Sequence, residues 1–454
     1  MRLSHAHQTA RRFDVRSTDS CEFGGVGGCR MSGGDAADER AGSGLGRVDP
    51  VIVEQLSLVD FRNYAAADVS LQAGPNVFVG RNGQGKTNLA EAIAYFATLG
   101  SHRVSTDAPM VRRGAEAAIV RARLAHGPRR IVLEVQVNKQ GSNKARVNGS
   151  TIRPAELPRY AQVVLFAPED LQIVRGDPSA RRRFMDQLLI QRAPRMAGVL
   201  GDYDRVVRQR NALLKSAKAR GIRGDQLSTL EVWDDKLLSL GAQVIDARAR
   251  LAEELAAPLA AAYTAIAGAD HEPGLDWALS IDGADPDEDD TEVDAAAAGT
   301  TIDRFRAALA AKRATELERG ITLVGPHRDD LILRLRGLPV KGYASHGESW
   351  SIALGLRLAS AELLRAESQL GDPIVILDDV FAELDADRRM RLASLVADYE
   401  QVIVTAAVEP DIPDALRAHV VHVEAGTIID PENPVTDDAA EPRHPAPEGA
   451  DDER

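Results

Sequence analysis

Apolar positions along the chain change their spacing twice. Up to about residue 170 they come in short alternating or four-residue runs. From there to about 320 they recur every three or four residues, and afterwards short β-branched runs return. Residues 51–59 and 68–71 read as two strands around Asp60-Phe61-Arg62-Asn63-Tyr64. Asn76-Val77-Phe78-Val79 is a further strand, and Asn88-Leu89-Ala90-Glu91-Ala92-Ile93 opens a helix reaching about Gly100. Ile131, Leu133, Val135 and Val137 alternate with exposed positions, the mark of a half-buried antiparallel strand. With residues 119–124, the turn Gln140-Gly141-Ser142-Asn143 and residues 145–147, they form an antiparallel meander inserted after the first helix. Val163-Val164-Leu165-Phe166, Ile374-Val375-Ile376-Leu377 and Val402-Ile403-Val404-Thr405 do not alternate, which suits strands covered on both faces. Residues 420–423 are expected at a sheet edge.

In the middle segment, Leu230, Trp233, Leu237, Leu240, Val244, Leu251 and Leu255 form a heptad-like seam interrupted by Arg248. From 230 to 255 it spans roughly 40 Å at a helical rise of about 1.5 Å per residue, and Pro258 is expected to end or kink it. A coiled-coil arm and an ordinary amphipathic core helix both fit this spacing. Residues 282–299 read as an acidic loop. Residues 1–50 and 431–454 lack periodic apolar positions and read as disordered. Translation is expected to start at or near Val51, or at Met31, which makes 1–50 a mis-assigned extension.

The net charge of −13 is unevenly spread. Residues 430–454 hold nine acids against two bases, and 282–294 hold eight acids and no base. Two stretches are basic: 103–153 has eleven Lys/Arg against three acids, and 175–223 has thirteen against four. Positive charge is therefore concentrated where a polyanion could bind. Arg181, Arg182 and Arg183 are the first candidates for contacts to a nucleic-acid backbone, although one of them could instead anchor two domains. Cys21 and Cys29 are the only cysteines, so disulfides and thiolate metal sites are excluded beyond them. This and the absence of a long apolar run point to a cytoplasmic protein without a membrane span.

The chemistry centres on Gly80-Arg81-Asn82-Gly83-Gln84-Gly85-Lys86-Thr87, which matches G-x-x-x-x-G-K-[ST] between a strand and a helix. Its glycines let backbone N–H groups turn toward phosphate oxygens, and the helix N-terminus favours the same anion. Lys86 would meet the outer phosphates of ATP, and the Thr87 hydroxyl can ligate Mg²⁺. The 374–377 strand runs into Asp378-Asp379. Asp378 is the expected partner in metal binding, and Asp379 is placed to orient or deprotonate the attacking water. Tyr343-Ala344-Ser345-His346-Gly347-Glu348 opens a helix in which Trp350, Leu354, Leu358 and Leu363 recur at helical spacing, with Ser345 as its cap. A serine-x-glycine-acid at a helix start, about thirty residues before the Mg²⁺ strand, resembles the signature of the ATP-binding-cassette class. In that class this helix end of one subunit meets the γ-phosphate held by the other.

The ordered set of motifs resembles the RecF family, bacterial recombination mediators related to SMC ATPases. It comprises Phe61-Arg62-Asn63-Tyr64, the loop through Asn88, Phe166-Ala167-Pro168-Glu169-Asp170-Leu171, Arg182-Arg183-Phe184-Met185-Asp186, Gly325-Pro326-His327-Arg328-Asp329-Asp330 and Asp378-Asp379-Val380-Phe381-Ala382-Glu383-Leu384-Asp385, and covers about 51–430. The resemblance implies an α/β P-loop NTPase head of ABC/SMC type, built from 51–170 and 320–430. Its sheet would be mixed, with an antiparallel subdomain, and a mainly helical domain would fill 171–319. It implies slow, DNA-stimulated ATP hydrolysis with Mg²⁺, and an ATP-induced homodimer. It further implies binding at gapped DNA and single-strand/double-strand junctions, RecA loading with RecO and RecR, and a place in the SOS response. Carried onto this chain, Lys86, Asp378, Asp379 and Ser345 are catalytic, and residues 80–88, Arg62, Ser345 and Gly347 contact nucleotide. Glu383-Leu384-Asp385 would be the loop through which subunits communicate.

The chain departs from these patterns at several positions. His346 stands where the family more often has Gln, and Asp379 where cassette ATPases have Glu. Pro168-Glu169-Asp170 occupies the place of their metal-sensing Gln, and Thr405 that of the switch His. His327-Arg328 fits a structural turn and a contact site equally. The alternative functions are an ABC-transporter ATPase subunit and another SMC-like repair ATPase. The 259 residues from Lys86 to Ser345 are long for the first, and the seam is too short for an SMC arm.

Overall fold

The computed structural model describes residues 49–221, 228–284, 299–368 and 371–429. The expectations for 1–48, most of the acidic loop and the acidic tail lie outside the described residues.

The chain begins with β1 (Val51–Phe61) and β2 (Tyr64–Ser70), followed by β3 (Gly74–Val79) and α1 (Lys86–Thr98). The meander β4 (Ala117–His126), β5 (Arg129–Asn138), β6 (Lys144–Val147) and β7 (Ser150–Ile152) leads to β8 (Val163–Phe166). The helical segment contains α2 (Leu171–Arg175), α3 (Pro178–Arg192), α4 (Met196–Arg220) and α5 (Ser228–Ala267), then β9 (Gly274–Ala278) and α6 (Thr301–Arg319). After it come β10 (Asp330–Leu335), β11 (Leu338–Pro339), the short turn α7 (Val340–Tyr343) and α8 (His346–Glu367). The last elements are β12 (Ile374–Asp378), α9 (Ala386–Val396), β13 (Gln401–Ala406), β14 (His419–Glu424) and β15 (Thr427–Ile429).

One six-stranded sheet has the order β15-β14-β3-β13-β12-β8, parallel except for the terminal hairpin. The unalternating runs are β12 and β13 inside this sheet and β8 at its edge, and each divides its side chains between two cores. Val77, Phe166, Val375, Leu377, Val402 and Val404 face one core, shared with α5, α8 and α9. Phe78, Val163, Leu165, Ile374, Ile376 and Ile403 face the other, shared with α1 and the meander. Each fully buried Val, Leu, Ile or Phe stabilises the fold by about 1.5–3 kcal/mol relative to exposure, which explains the lack of polar residues in these runs. The meander forms a second sheet, β2-β1-β4-β5-β6-β7, antiparallel throughout. Gln401 ties the two sheets together. Its side-chain amide accepts from Val53 N and donates to Val53 O, both at 2.9 Å.

One expectation needs correction, and two readings left open by the sequence are decided. β14 is not an edge strand, because residues 427–429 return beside it as β15 and take the edge. Pro258 does not end α5, which continues to Ala267. The apolar seam of α5 is a core stripe rather than a coiled-coil arm: Leu251, Leu255 and Leu259 share the core of α8 and the parallel sheet. Leu237 and Ile245 pack with Tyr203 of α4 and Phe305 of α6. The helical segment also contains β9, which pairs with β10 in a small β11-β10-β9 sheet.

Candidate nucleotide site

The glycine-rich loop joins β3 to α1, as its motif predicts. At Gly85 the backbone has φ 122°, and a Cβ would lie 2.6 Å from Tyr64 Oη and 2.8 Å from Asn63 Nδ2. Only glycine meets both demands. No side chain caps α1, which leaves its positive N-terminal end suited to an anion. Lys86 is buried, with Nζ donating to Arg81 O at 3.3 Å. Two turns brace the loop through the Gln84 carbonyl, which accepts from Asn63 Nδ2 at 2.9 Å and from Gly426 N at 3.0 Å. The Gln84 side-chain oxygen accepts from Ala425 N. Arg81, Asn82 and Gly83 form the exposed tip.

β12 carries Asp378 to the same place and buries it. Thr87 Oγ1 donates to Asp378 Oδ1 at 3.0 Å, and Thr405 Oγ1 donates to that oxygen at 2.7 Å. The Thr405 hydroxyl in turn accepts from Asp379 N at 3.0 Å. His102 Nε2 stands 3.7 Å from Asp378 Oδ2. Asp379 adopts φ 52°, a left-handed turn that swings its carboxyl off the strand. Burial raises its pKa, Lys86 lowers it, and Asp378 and Glu169 raise it further. Asn82, Pro168, Asp379, Phe381, Glu383 and Thr405 help line a pocket of about 230 Å³ beside the loop. A hydroxyl and a carboxylate, both hard oxygen donors, fit Mg²⁺ that keeps its remaining sites for water and phosphate. Thr87 and Asp378 would hold it.

Ser345 caps α8 in a capping box with Glu348. Ser345 Oγ accepts from Glu348 N at 3.2 Å, while Ser345 N donates to Glu348 Oε2 at 2.9 Å. Ser345 and His346 are exposed. Gly347 admits the Arg388 guanidinium, which a Cβ would meet at 3.0 Å. Arg388 Nε donates to Ser351 Oγ at 3.2 Å, and its backbone N donates to Asp385, the cap of α9, at 2.9 Å. The signature turn is thereby joined to Glu383-Leu384-Asp385.

Lys86, Thr87, Asp378 and Asp379 converge, through the Thr87–Asp378 hydrogen bond and the charges of Lys86 and Asp378 on Asp379, whereas Ser345 is engaged with Glu348 and Gly347 lies against Arg388. Arg62 is committed elsewhere: its Nε and Nη2 donate to the buried Glu91 at 2.7 and 2.6 Å, and Nη1 donates to Pro109 O. It locks the β1–β2 turn onto α1. Asn88 has its side chain engaged by Asn63 and Arg103. In Pro168-Glu169-Asp170, Asp170 is buried against Arg357 of α8, and the exposed Glu169 is the one that acts on Asp379.

Arg181 is not a nucleic-acid contact. It is buried, pairs twice at 2.7 Å with Asp330, and donates to Gly176 O at 3.0 Å. It anchors α3 to β10. Arg182 is half-buried and donates to Asp329 O at 2.7 Å, while Arg183 is exposed. His327 belongs to a structural turn. Its Nδ1 is 2.8 Å from Tyr203 Oη, and burial pushes its pKa down to about 4. His102, and the bracing of the loop through Asn63 and Gln84, carry no sequence signal. Each depends on contacts between distant segments.

The chain matches the family profile described as RecF/RecN/SMC N terminal domain over residues 52–428. It is 57% identical over 407 residues to the DNA replication and repair protein RecF of Clavibacter sepedonicus, covering 88% of this chain and 99% of that one. It is 59% identical over 382 residues to RecF of Leifsonia xyli subsp. xyli, covering 84% and 99%. Among solved structures it resembles the recombination mediator protein RecF-ATPrS in the RecFOR pathway. That match has a TM-score of 0.73 and 26% identity, covering 84% of this chain and 98% of the other.

Proposed function

The chain belongs to the RecF family of DNA replication and repair proteins, and on that premise we propose that it is a Mg²⁺- and ATP-dependent clamp on gapped DNA. Two copies face each other, each lending Ser345 and the N-terminus of α8 to the nucleotide held by the other's Lys86 loop. The closed dimer grips DNA near a single-strand/double-strand junction, acts with RecO and RecR to load RecA, and serves the SOS response in the cytoplasm. DNA stimulates a slow hydrolysis, which reopens the clamp.

The observation that carries this reading is the division of the site within one chain. Loop lysine, metal pair and water-orienting carboxyl act on one another directly, while the signature serine is exposed at the start of α8 with its hydroxyl held by Glu348. When bound, Mg²⁺ neutralises charge on the phosphates. Lys86 holds the outer phosphate oxygens, and Thr87 and Asp378 fix the geometry. Asp379 is set by its left-handed turn and by the Thr405 hydroxyl to orient the attacking water. The carboxylate is one methylene shorter than Glu, which supports a switch rather than a fast enzyme. Sedimentation with ATP and gapped duplex tests the reading: dimers should form only with nucleotide. A monomer that hydrolyses ATP fully while holding DNA would overturn it.

A further inference from the structure

The signature serine is held by more than its own helix. The Ser345 hydroxyl has a single proton, which it donates to Glu348 Oε2 at 2.8 Å. That same oxygen accepts Ser345 N. To donate to a phosphate oxygen, the hydroxyl must turn away from Glu348, so whatever fixes Glu348 fixes the starting position and freedom of Ser345.

The other carboxylate oxygen of Glu348 is held from outside α8. Arg336 Nη1 donates to Glu348 Oε1 at 3.1 Å, and His271 Nδ1 stands 3.6 Å from it. The bonds from Ser345, and then the bond and charge of Arg336, lower the pKa of Glu348. Arg336 and Gly337 form the two-residue turn between β10 and β11, with φ of 51° and 77°. Two positive φ values are the geometry of the hairpin turn that matches strand twist, and they usually select Asn or Asp before Gly. An arginine here accepts an unfavourable backbone, which points to a use for its side chain. Arg336 N also donates to His271 O at 2.8 Å, and Tyr263 Oη of α5 lies 2.7 Å from His271 Nδ1.

We infer that Arg336 is a positioning residue for the signature serine, acting through Glu348 Oε1 to hold the α8 N-terminus ready for the partner's nucleotide. The end of α5 and the β10–β11 turn thus reach Ser345 through one carboxylate, so a displacement of the helical segment is felt at the nucleotide interface. This rests on the proposed exchange of Ser345 between subunits.

The experiment measures ATP-driven dimerisation by sedimentation, with nucleotide affinity of the monomer read separately. Arg336 is about half exposed, so Arg336→Ala should weaken dimerisation about two- to fivefold, the range of an exposed ion pair. Monomer ATP affinity should not change, and Arg336→Lys should recover most of the loss. Because Arg336 acts through Ser345, adding Arg336→Ala to Ser345→Ala should cause no further loss. Normal dimerisation of Arg336→Ala, or full additivity of the two substitutions, overturns the inference. Ser345→Arg in parallel separates this from failure of the shared site: if that variant dimerises normally, the shared site itself is wrong.

Discussion

Thr87 and Asp378 stand 291 positions apart in the chain and share a 3.0 Å hydrogen bond, Oγ1 to Oδ1. Parallel pairing of β3 with β13 and of β13 with β12 brings the loop and the acid pair to the same end of one sheet. Asp378→Asn keeps the oxygen that Thr87 and Thr405 use but removes the charge. ATP hydrolysis should fall at least about 100-fold, the scale of losing one charge-stabilising group. Thermal unfolding should change little. An ATPase assay beside a melting curve checks both, and Lys86→Arg should behave likewise.

Ser345→Arg places a long cation at the exposed end of α8. ATP binding by the monomer should survive, and ATP-driven dimerisation should be lost. Fluorescent-nucleotide titration and sedimentation read the two separately.

Arg181→Ala leaves the buried Asp330 carboxylate without its bidentate partner. Breaking a buried pair in this way costs about 3–5 kcal/mol. The double variant Arg181→Met, Asp330→Leu should recover much of that loss. Denaturant unfolding of the three proteins tests this assignment of Arg181 as an anchor.

Arg183 is exposed, unlike its two neighbours. Arg183→Ala should leave stability within about 0.5 kcal/mol of the parent. If Arg183 meets a DNA phosphate, the slope of log K against log salt should shrink by about 1. An unchanged slope removes it from the interface.

His327 and Asp329 make opposite contributions to pH stability. His327 is pushed down to about 4 by burial, so the unfolded chain takes its proton first as pH falls from 6.5 to 4, and stability is lost. Burial also pushes Asp329 up to about 6, so the folded chain takes that proton first as pH falls from 6 to 3.8, and stability is gained. Each effect is worth about 3 kcal/mol, and between pH 6 and 4 they nearly cancel. Asp329→Asn should expose the acid-labile limb of His327. His327→Gln should make stability rise as pH is lowered from 6 to 4. Urea midpoints across that range would show both signs.

The sequence by itself determined the local elements and the chemistry they carry. Loop glycines, the apolar runs ahead of Asp378, the alternation at 131–137 and the cap at Ser345 each depend on neighbours within a few residues, so periodicity and turn chemistry sufficed. Tertiary structure alone decided which of three adjacent arginines was an anchor and which lay exposed. Consecutive residues on a helix point about 100° apart, and only the position of Asp330 turns Arg181 inward. The same holds for α5, whose spacing fits an arm and a core helix alike until α8 and the sheet pack against it. Glu91 holding Arg62, and Arg336 reaching Glu348, are likewise long-range pairs of charges, for which a linear pattern contains no spacing to read.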